Sequence, residues 1–224
     1  MFSGDLFEGR AYRVIPAASP VPWLVAADVA PLSVPGAIEC VRQGYTQLHG
    51  KAPDETSAQG IASVGRLETG WGRYKPFPGS YNWGAVQCKA VQDKSGNCPP
   101  NCLPAKDSRP NKDGTSTYYG ACFKVYADDT AGAKDLVKNM TSQRPLTWKA
   151  LATGSAWAIA EAMYREHYYE GFGATEETRI GHYAKGIYNN ALEISKRGGG
   201  PMLIHSPTKD GGGERPPPPS LVGE

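Results

Sequence analysis

Residues 65–88 read GRLETGWGRYKPFPGSYNWGAVQC. One carboxylate, Glu68, closes a helical pattern; glycines 70 and 72 then stand among Trp71, Tyr74, Phe77, Tyr81 and Trp83, ahead of an apolar, strand-like run. Upstream, Ala58, Ile61, Val64 and Leu67 recur at helical spacing behind Asp54, a favoured N-cap, so a helix is predicted to start near Asp54 and stop at the glycines. A helix turns about 100° per residue, so Glu68, seven beyond Ile61 and four beyond Val64, continues the apolar stripe. A carboxyl on a buried face loses solvation, which favours the protonated form that a general acid needs. The competing reading is a solvated glutamate at a frayed helix end, paired with Arg66 or Arg73. The following residues favour the first: glycines permit close backbone approach, and aromatic faces suit sugar rings. Trp83 is expected to serve the core in part.

Working outward, Ile38, Val41, Tyr45 and Leu48 mark a helix from Pro35, with Ser33 as its cap. Beyond residue 80 the helical period disappears until about 126, and WGAVQCKAV (83–91) and YYGACFKVY (118–126) read as two legs of a β-hairpin with a long polar tip. Helical spacing then returns. Ala133, Leu136, Val137 and Met140 share a face, a short segment from Pro145 carries Leu146, Trp148 and Leu151, and helices near 155–168 and 176–196 turn Ala156, Ile159, Ala160, Met163 and Tyr164, then Ile180, Tyr183, Ala184, Ile187, Ala191 and Ile194, inward. The predicted organisation is an extended proline-rich arm over 1–34, a mainly helical α+β domain over 35–197 with a hairpin insertion at 80–126, and a Gly/Pro-rich tail over 198–224 that buries too little apolar surface to fold alone.

Five cysteines stand at 40, 88, 98, 102 and 122. Two disulfides among Cys88, Cys98, Cys102 and Cys122 would staple the insertion, with three pairings open and Cys40 left free; a four-cysteine zinc site is the rival, though the spacing lacks the paired knuckles of common zinc folds. The 24 basic and 22 acidic residues give a net charge of +2, with no basic block to follow a phosphate backbone, which argues against nucleic acid as a partner. No apolar run approaches the ~20 residues of a membrane span. The proline-broken N-terminus does not read as a secretory signal.

The run ETGWG at a helix end, followed by YNWGAVQ and FKVY, resembles the lysozyme-like superfamily of peptidoglycan-cleaving enzymes, in particular glucosaminidases and lytic transglycosylases; YREHYYEGFGATEETRIGHYAKGIYNNALEI (164–194) is similar to that family's tyrosine-and-glycine turn and following helix. The resemblance covers roughly residues 36–196. It implies a lysozyme-like helical domain, here carrying the stapled hairpin after the second helix, acting on the β-1,4 bond between N-acetylglucosamine and N-acetylmuramic acid. Glu68 would be the general acid. Tyr168 or Tyr169 would face it from the helical lobe, with Tyr169 as the catalytic candidate. Trp71, Tyr81, Asn82, Trp83, Gly84, Ala85, Gln87 and Tyr168 would bind the glycan, Gln87 through an N-acetyl group or the sugar chain. No cofactor is implied. The site of action would lie outside the cytoplasm, in periplasm or wall, and the arm and tail would suit attachment to other proteins of a phage particle or secretion apparatus.

The insertion departs from the family pattern and leaves the second catalytic carboxylate open. Asp93, Asp107 and Asp113 are candidates, each also typical of a solvated loop. Without a partner acid, the substrate's N-acetyl group would act as internal nucleophile, or a muramyl 6-hydroxyl would close an anhydro ring. Two other classes compete. A glycan-binding or structural module would keep the fold with an inactive site. A cysteine peptidase or amidase would use Cys88 with one of His49, His167, His182 or His205, although nucleophilic cysteines more often open a helix. His167 and His182 lack a metal-binding spacing, and no metal is expected.

Overall fold

A computed structural model of the chain describes residues 31–89, 92–111, 115–171, 173–198 and 200–209. Most of the predicted N-terminal arm and the tail beyond 209 lie outside the described residues. Among the described residues, six helices and one hairpin follow in the order α1 (Val34–His49), α2 (Glu55–Thr69), β1 (Cys102–Pro110), β2 (Ser116–Lys124), α3 (Asp129–Thr141), α4 (Pro145–Leu151), α5 (Ala156–Arg165) and α6 (Glu176–Gly198). The fold is mainly helical α+β, with the insertion directly after the second helix.

Each helix begins where local chemistry satisfies its first N–H groups. Ser33 caps α1, Asp54 caps α2 by accepting from Ser57 N at 2.8 Å, Asp128 caps α3, and Ser155 caps α5. The α2 helix ends at Gly70, whose left-handed φ of 58° and ψ of 40° let its N–H return to the last turn. This helix is buried on nearly every side from Ser57 to Gly65, more than a single apolar stripe predicts. Small residues make that possible. A Cβ on Gly60 would lie 2.8 Å from Leu151 and one on Gly65 2.9 Å from the Trp83 ring, so α4 and the Trp83 loop approach the backbone itself. Ile61, Leu136, Met140, Leu151, Ile159, Met163 and Ile187 fill the core around it. Of the apolar residues in the short segment from Pro145, Leu151 is fully buried and Leu146 is 47% exposed in the first turn of α4.

The hairpin differs from the expected one. Its legs are β1 and β2, paired antiparallel from Cys102 opposite Lys124 to Pro110 opposite Ser116. The described part of the 83–91 run, residues 83–89, makes a short pairing with the outer side of β2: Gln87 bridges Phe123, Cys88 N donates to Cys122 O at 2.6 Å, and Lys124 N to Val86 O at 2.9 Å. Cys102 therefore opens a leg rather than lying in the tip. The prolines at 104 and 110 disguised that leg as a loop, and they are tolerated because β1 is an edge strand. Cys88 pairs with Cys102 and Cys98 with Cys122, while Cys40 is an unpaired thiol whose acidity burial suppresses.

The chain beyond α6 is also more ordered than its composition suggests. Ile204 is fully buried, and the amide of Gln59, itself buried in α2, accepts from Leu203 N at 2.7 Å and Ile204 N at 3.1 Å and donates to Pro201 O at 3.1 Å. His205 N donates to Gly154 O, and Ala156 N to His205 O, each at 2.8 Å. Residues 200–206 thus form a strap over α2 and α5, not the start of a free tail.

Candidate active site

Glu68 is half-buried in the last turn of α2. The hydroxyl of Tyr183, projecting from α6, donates a short hydrogen bond to its Oε1. Burial, followed by the negative charge of Glu68, pushes the acidity of Tyr183 well above the ordinary tyrosine value, so the phenol holds its proton and remains a donor. The Tyr183 ring stacks flat on Tyr169, centroids 3.8 Å apart and planes within 8°.

Tyr169 was the predicted catalytic tyrosine. Its ring reaches the site only as the backing of Tyr183; its hydroxyl points into the body and donates to Ala160 O at 3.0 Å. Its neighbour Tyr168 turns the other way, donating to Gly84 O at 3.3 Å with the Arg144 guanidinium 5.0 Å above its ring. Tyr168 therefore ties the helical body to the loop predicted to line the cleft. Sequence periodicity marked Tyr183 as an inward residue of α6 but gave no sign of its partner, which lies 115 positions away.

The loop from 70 to 87 is bound to the body from below. Thr69 Oγ1 accepts from Gly72 N at 2.9 Å and donates to Trp83 O at 3.1 Å. Arg73 forks onto Asp129 at 2.6 and 2.8 Å, and the Trp83 indole N–H reaches the same carboxylate at 3.3 Å. Trp83 is fully buried and Trp71 nearly so, with its indole N–H on Ala62 O at 2.9 Å. Both are core residues, because the small residues of α2 leave room for their rings; neither offers a face to a glycan. Asn82 is likewise buried: its amide donates to Val86 O and Lys124 O and accepts from Val86 N, each at 2.9 Å, so it shapes the loop. Gly84 is buried beneath Tyr168 and Leu136, and Tyr81 and Ala85 are half-buried at positive φ.

Gln87 alone of the predicted lining residues is exposed. Its Nε2 donates to Asp107 Oδ2 at 2.6 Å, and Tyr119 OH donates to the same oxygen at 3.0 Å. Of the three hairpin aspartates, Asp107 is thus tied to the lining segment. Asp93 is consumed in its own turn, where backbone N–H groups of Ser95 and Asn97 at 2.8 Å hold its carboxyl below the usual range, and Asp113 lies outside the described residues. Cys88 is disulfide-bonded, so it cannot supply the thiolate of a peptidase, and the same bonds use up the sulfurs of the zinc alternative. Among the described residues no cluster of three or more His, Cys, Asp and Glu could hold a metal, and no helix is long and apolar enough to cross a membrane.

No family model and no curated protein matches the chain. Among solved structures, it is similar to a peptidoglycan hydrolase of Sphingomonas sp. A1 at 20% identity, covering 72% of this chain and 92% of that one with a TM-score of 0.47. It is similar to the catalytic domain of the autolysin Auto of Listeria monocytogenes at 12% identity, covering 72% and 82% with a TM-score of 0.46. A glycoside hydrolase domain of FlgJ from Salmonella typhimurium is similar at 20% identity, covering 75% and 95% with a TM-score of 0.40.

Proposed function

We propose that the protein is a peptidoglycan-cleaving glycosidase acting on the β-1,4 bond between N-acetylglucosamine and N-acetylmuramic acid, with Glu68 as general acid. The observation that carries this reading is the hydrogen bond from Tyr183 to Glu68 at the end of α2, beside the loop that leads to the hairpin wall. A carboxyl that accepts a hydrogen bond from a buried phenol is held in orientation for proton transfer, and the motif residues around it match the resemblance in ETGWG and NWGAVQ. In the proposed reaction protonated Glu68 gives its proton to the glycosidic oxygen as the bond to the anomeric carbon breaks. Water then completes hydrolysis, directly or after the acetamido oxygen has closed on that carbon; alternatively the muramyl 6-hydroxyl closes an anhydro ring. Tyr183 positions the acid in either case. Two disulfides in the wall suit an oxidising, extracytoplasmic place of action.

The test is turbidity loss of purified cell walls, with released muropeptides identified by mass spectrometry. Glu68→Gln keeps the shape and loses the proton, and is expected to lower the rate by about 10²–10⁴-fold. Equal clearing by wild type and variant would remove Glu68 from the mechanism, and no clearing by either, with binding retained, would favour a glycan-binding module.

A further inference from the structure

The aromatic run after Glu68 divides sharply in three dimensions. Trp71, Phe77 and Trp83 are 6%, 1% and 0% exposed, whereas Tyr74 is 56% exposed. Tyr81, the fifth, is half-buried, with the Arg73 guanidinium 5.9 Å from its ring centroid. The Tyr74 ring is laid directly on the backbone of Gly70, the residue that caps α2 two positions beyond Glu68. A Cβ there would lie 2.6–2.7 Å from three of its ring carbons. One face of the ring is therefore covered by Gly70, and the ring as a whole stays open to solvent.

The backbone that carries this ring is fixed. Tyr74 N donates to Thr69 O at 2.9 Å, Phe77 N to Tyr74 O at 2.7 Å, and Arg73 N to Thr69 O at 3.0 Å, while the Arg73 side chain is locked on Asp129 and Trp71 O. An exposed aromatic residue on a mobile loop would lose conformational freedom on binding; this one is already held, which lowers the cost of using it.

We infer that Tyr74 is a glycan-binding subsite: a sugar of the strand adjoining the bond at Glu68 stacks its C–H face on the open side of the ring. This rests on the glycosidase reading for the identity of the ligand, but the contact is one of binding and not of chemistry. A flat pyranose face on a π-surface fits a ring held on one side and bare on the other, whereas the buried tryptophans can play no such part.

Binding of soluble N-acetylglucosamine–N-acetylmuramic acid oligomers of two, four and six sugars by calorimetry, in a Glu68→Gln background, tests this without turnover. Tyr74→Ala is expected to weaken binding of the longer oligomers by about fivefold and Tyr74→Phe and Tyr74→Trp to leave it within about twofold, since the ring and not the hydroxyl makes the contact. In the active enzyme Tyr74→Ala raises KM with kcat unchanged. Thermal unfolding of each variant checks that the fold persists. Equal affinity of Tyr74→Ala and its parent for every oligomer overturns the inference while leaving the glycosidase intact; failure of the parent to bind any oligomer strikes the glycosidase reading itself.

Discussion

The helical body and the hairpin wall of this molecule are held by different forces. The body closes around a continuous apolar core running from Val41 and Ile61 through Leu136 and Met163 to Ile187. The wall has a separate cluster of Phe77, Ala105, Ala121 and Phe123, in which the two phenylalanines meet edge to face at 5.1 Å. Two buried phenylalanines supply about 2–3 kcal/mol each, little to order some forty residues of loop and hairpin against conformational entropy. Two disulfides add a covalent constraint that the body lacks. Glu68 and Tyr183 belong to the body, which is held by packing, and Gln87 and Asp107 to the disulfide-bonded wall.

Opening the disulfides should separate the two halves of this comparison most completely. Each bond closes a loop, 14 residues from Cys88 to Cys102 and 24 from Cys98 to Cys122, worth about 3 kcal/mol apiece by chain entropy. Reduction, or replacement of all four cysteines by serine, is expected to leave the helical circular dichroism near its native value while wall clearing falls about 10²-fold, because Gln87, next to Cys88, and Asp107 on β1 are no longer held in place. Helix and activity disappearing together on reduction would show instead that wall and body fold as one unit.

Alkali should act on the body and on its joint with the wall. Burial pushes Tyr169 and Tyr183 well above the ordinary tyrosine value, and so does burial of Tyr126, where the chain leaves β2 and bonds to Asp135 on α3. In the unfolded chain these phenols ionise near pH 10. Below that pH folded and unfolded states carry the same protons and the contribution is intact; above it the folded state keeps protons that the unfolded state has lost. Stability is therefore expected to fall as pH rises past 10, by about 1.4 kcal/mol per pH unit for each of the three, until their folded values are reached. Urea unfolding at successive alkaline pH values measures the slope. Tyrosinate absorbance showing every phenol ionising normally before the helices melt would contradict it.

The same division explains what could be read from the sequence. Helices announced themselves because period and caps coincide: Asp54 at one end of α2 and Gly70 at the other bracket a run whose apolar residues fall on one face. Glu68 could be placed at that helix end for the same reason. The first hairpin leg could not be seen, since Pro104 and Pro110 read as loop and its partner strand lies across the tip. The resemblance puts Trp71, Asn82 and Trp83 in the cleft, and an aromatic or amide beside a glycine has no directional signature to say otherwise; only the packing space left by Gly65, and the carbonyls of Val86 and Lys124, turn them inward. The strap at 200–206 is held by the amide of one buried glutamine, which accepts two hydrogen bonds and donates a third, and by backbone bonds of His205 with Gly154 and Ala156, features with no period at all.

Within the body, two tyrosines stacked on each other have different jobs, and this supplies the finest test. Tyr183 gives its hydroxyl to Glu68 and Tyr169 gives its own to Ala160 O, while the rings contribute the same contact to both. Tyr183→Phe removes the donor that orients the acid but keeps the stack, so kcat is expected to drop roughly tenfold with KM unchanged, the equivalent of one hydrogen bond to a charged group. Tyr169→Phe removes one buried hydrogen bond to a carbonyl inside α5 and should cost about 1 kcal/mol of stability in denaturant, with kcat near wild type. The pair separates positioning from packing. If the two variants lose stability and rate in parallel, Tyr183 is a structural residue like its neighbour, and the orientation of Glu68 must come from elsewhere in the site.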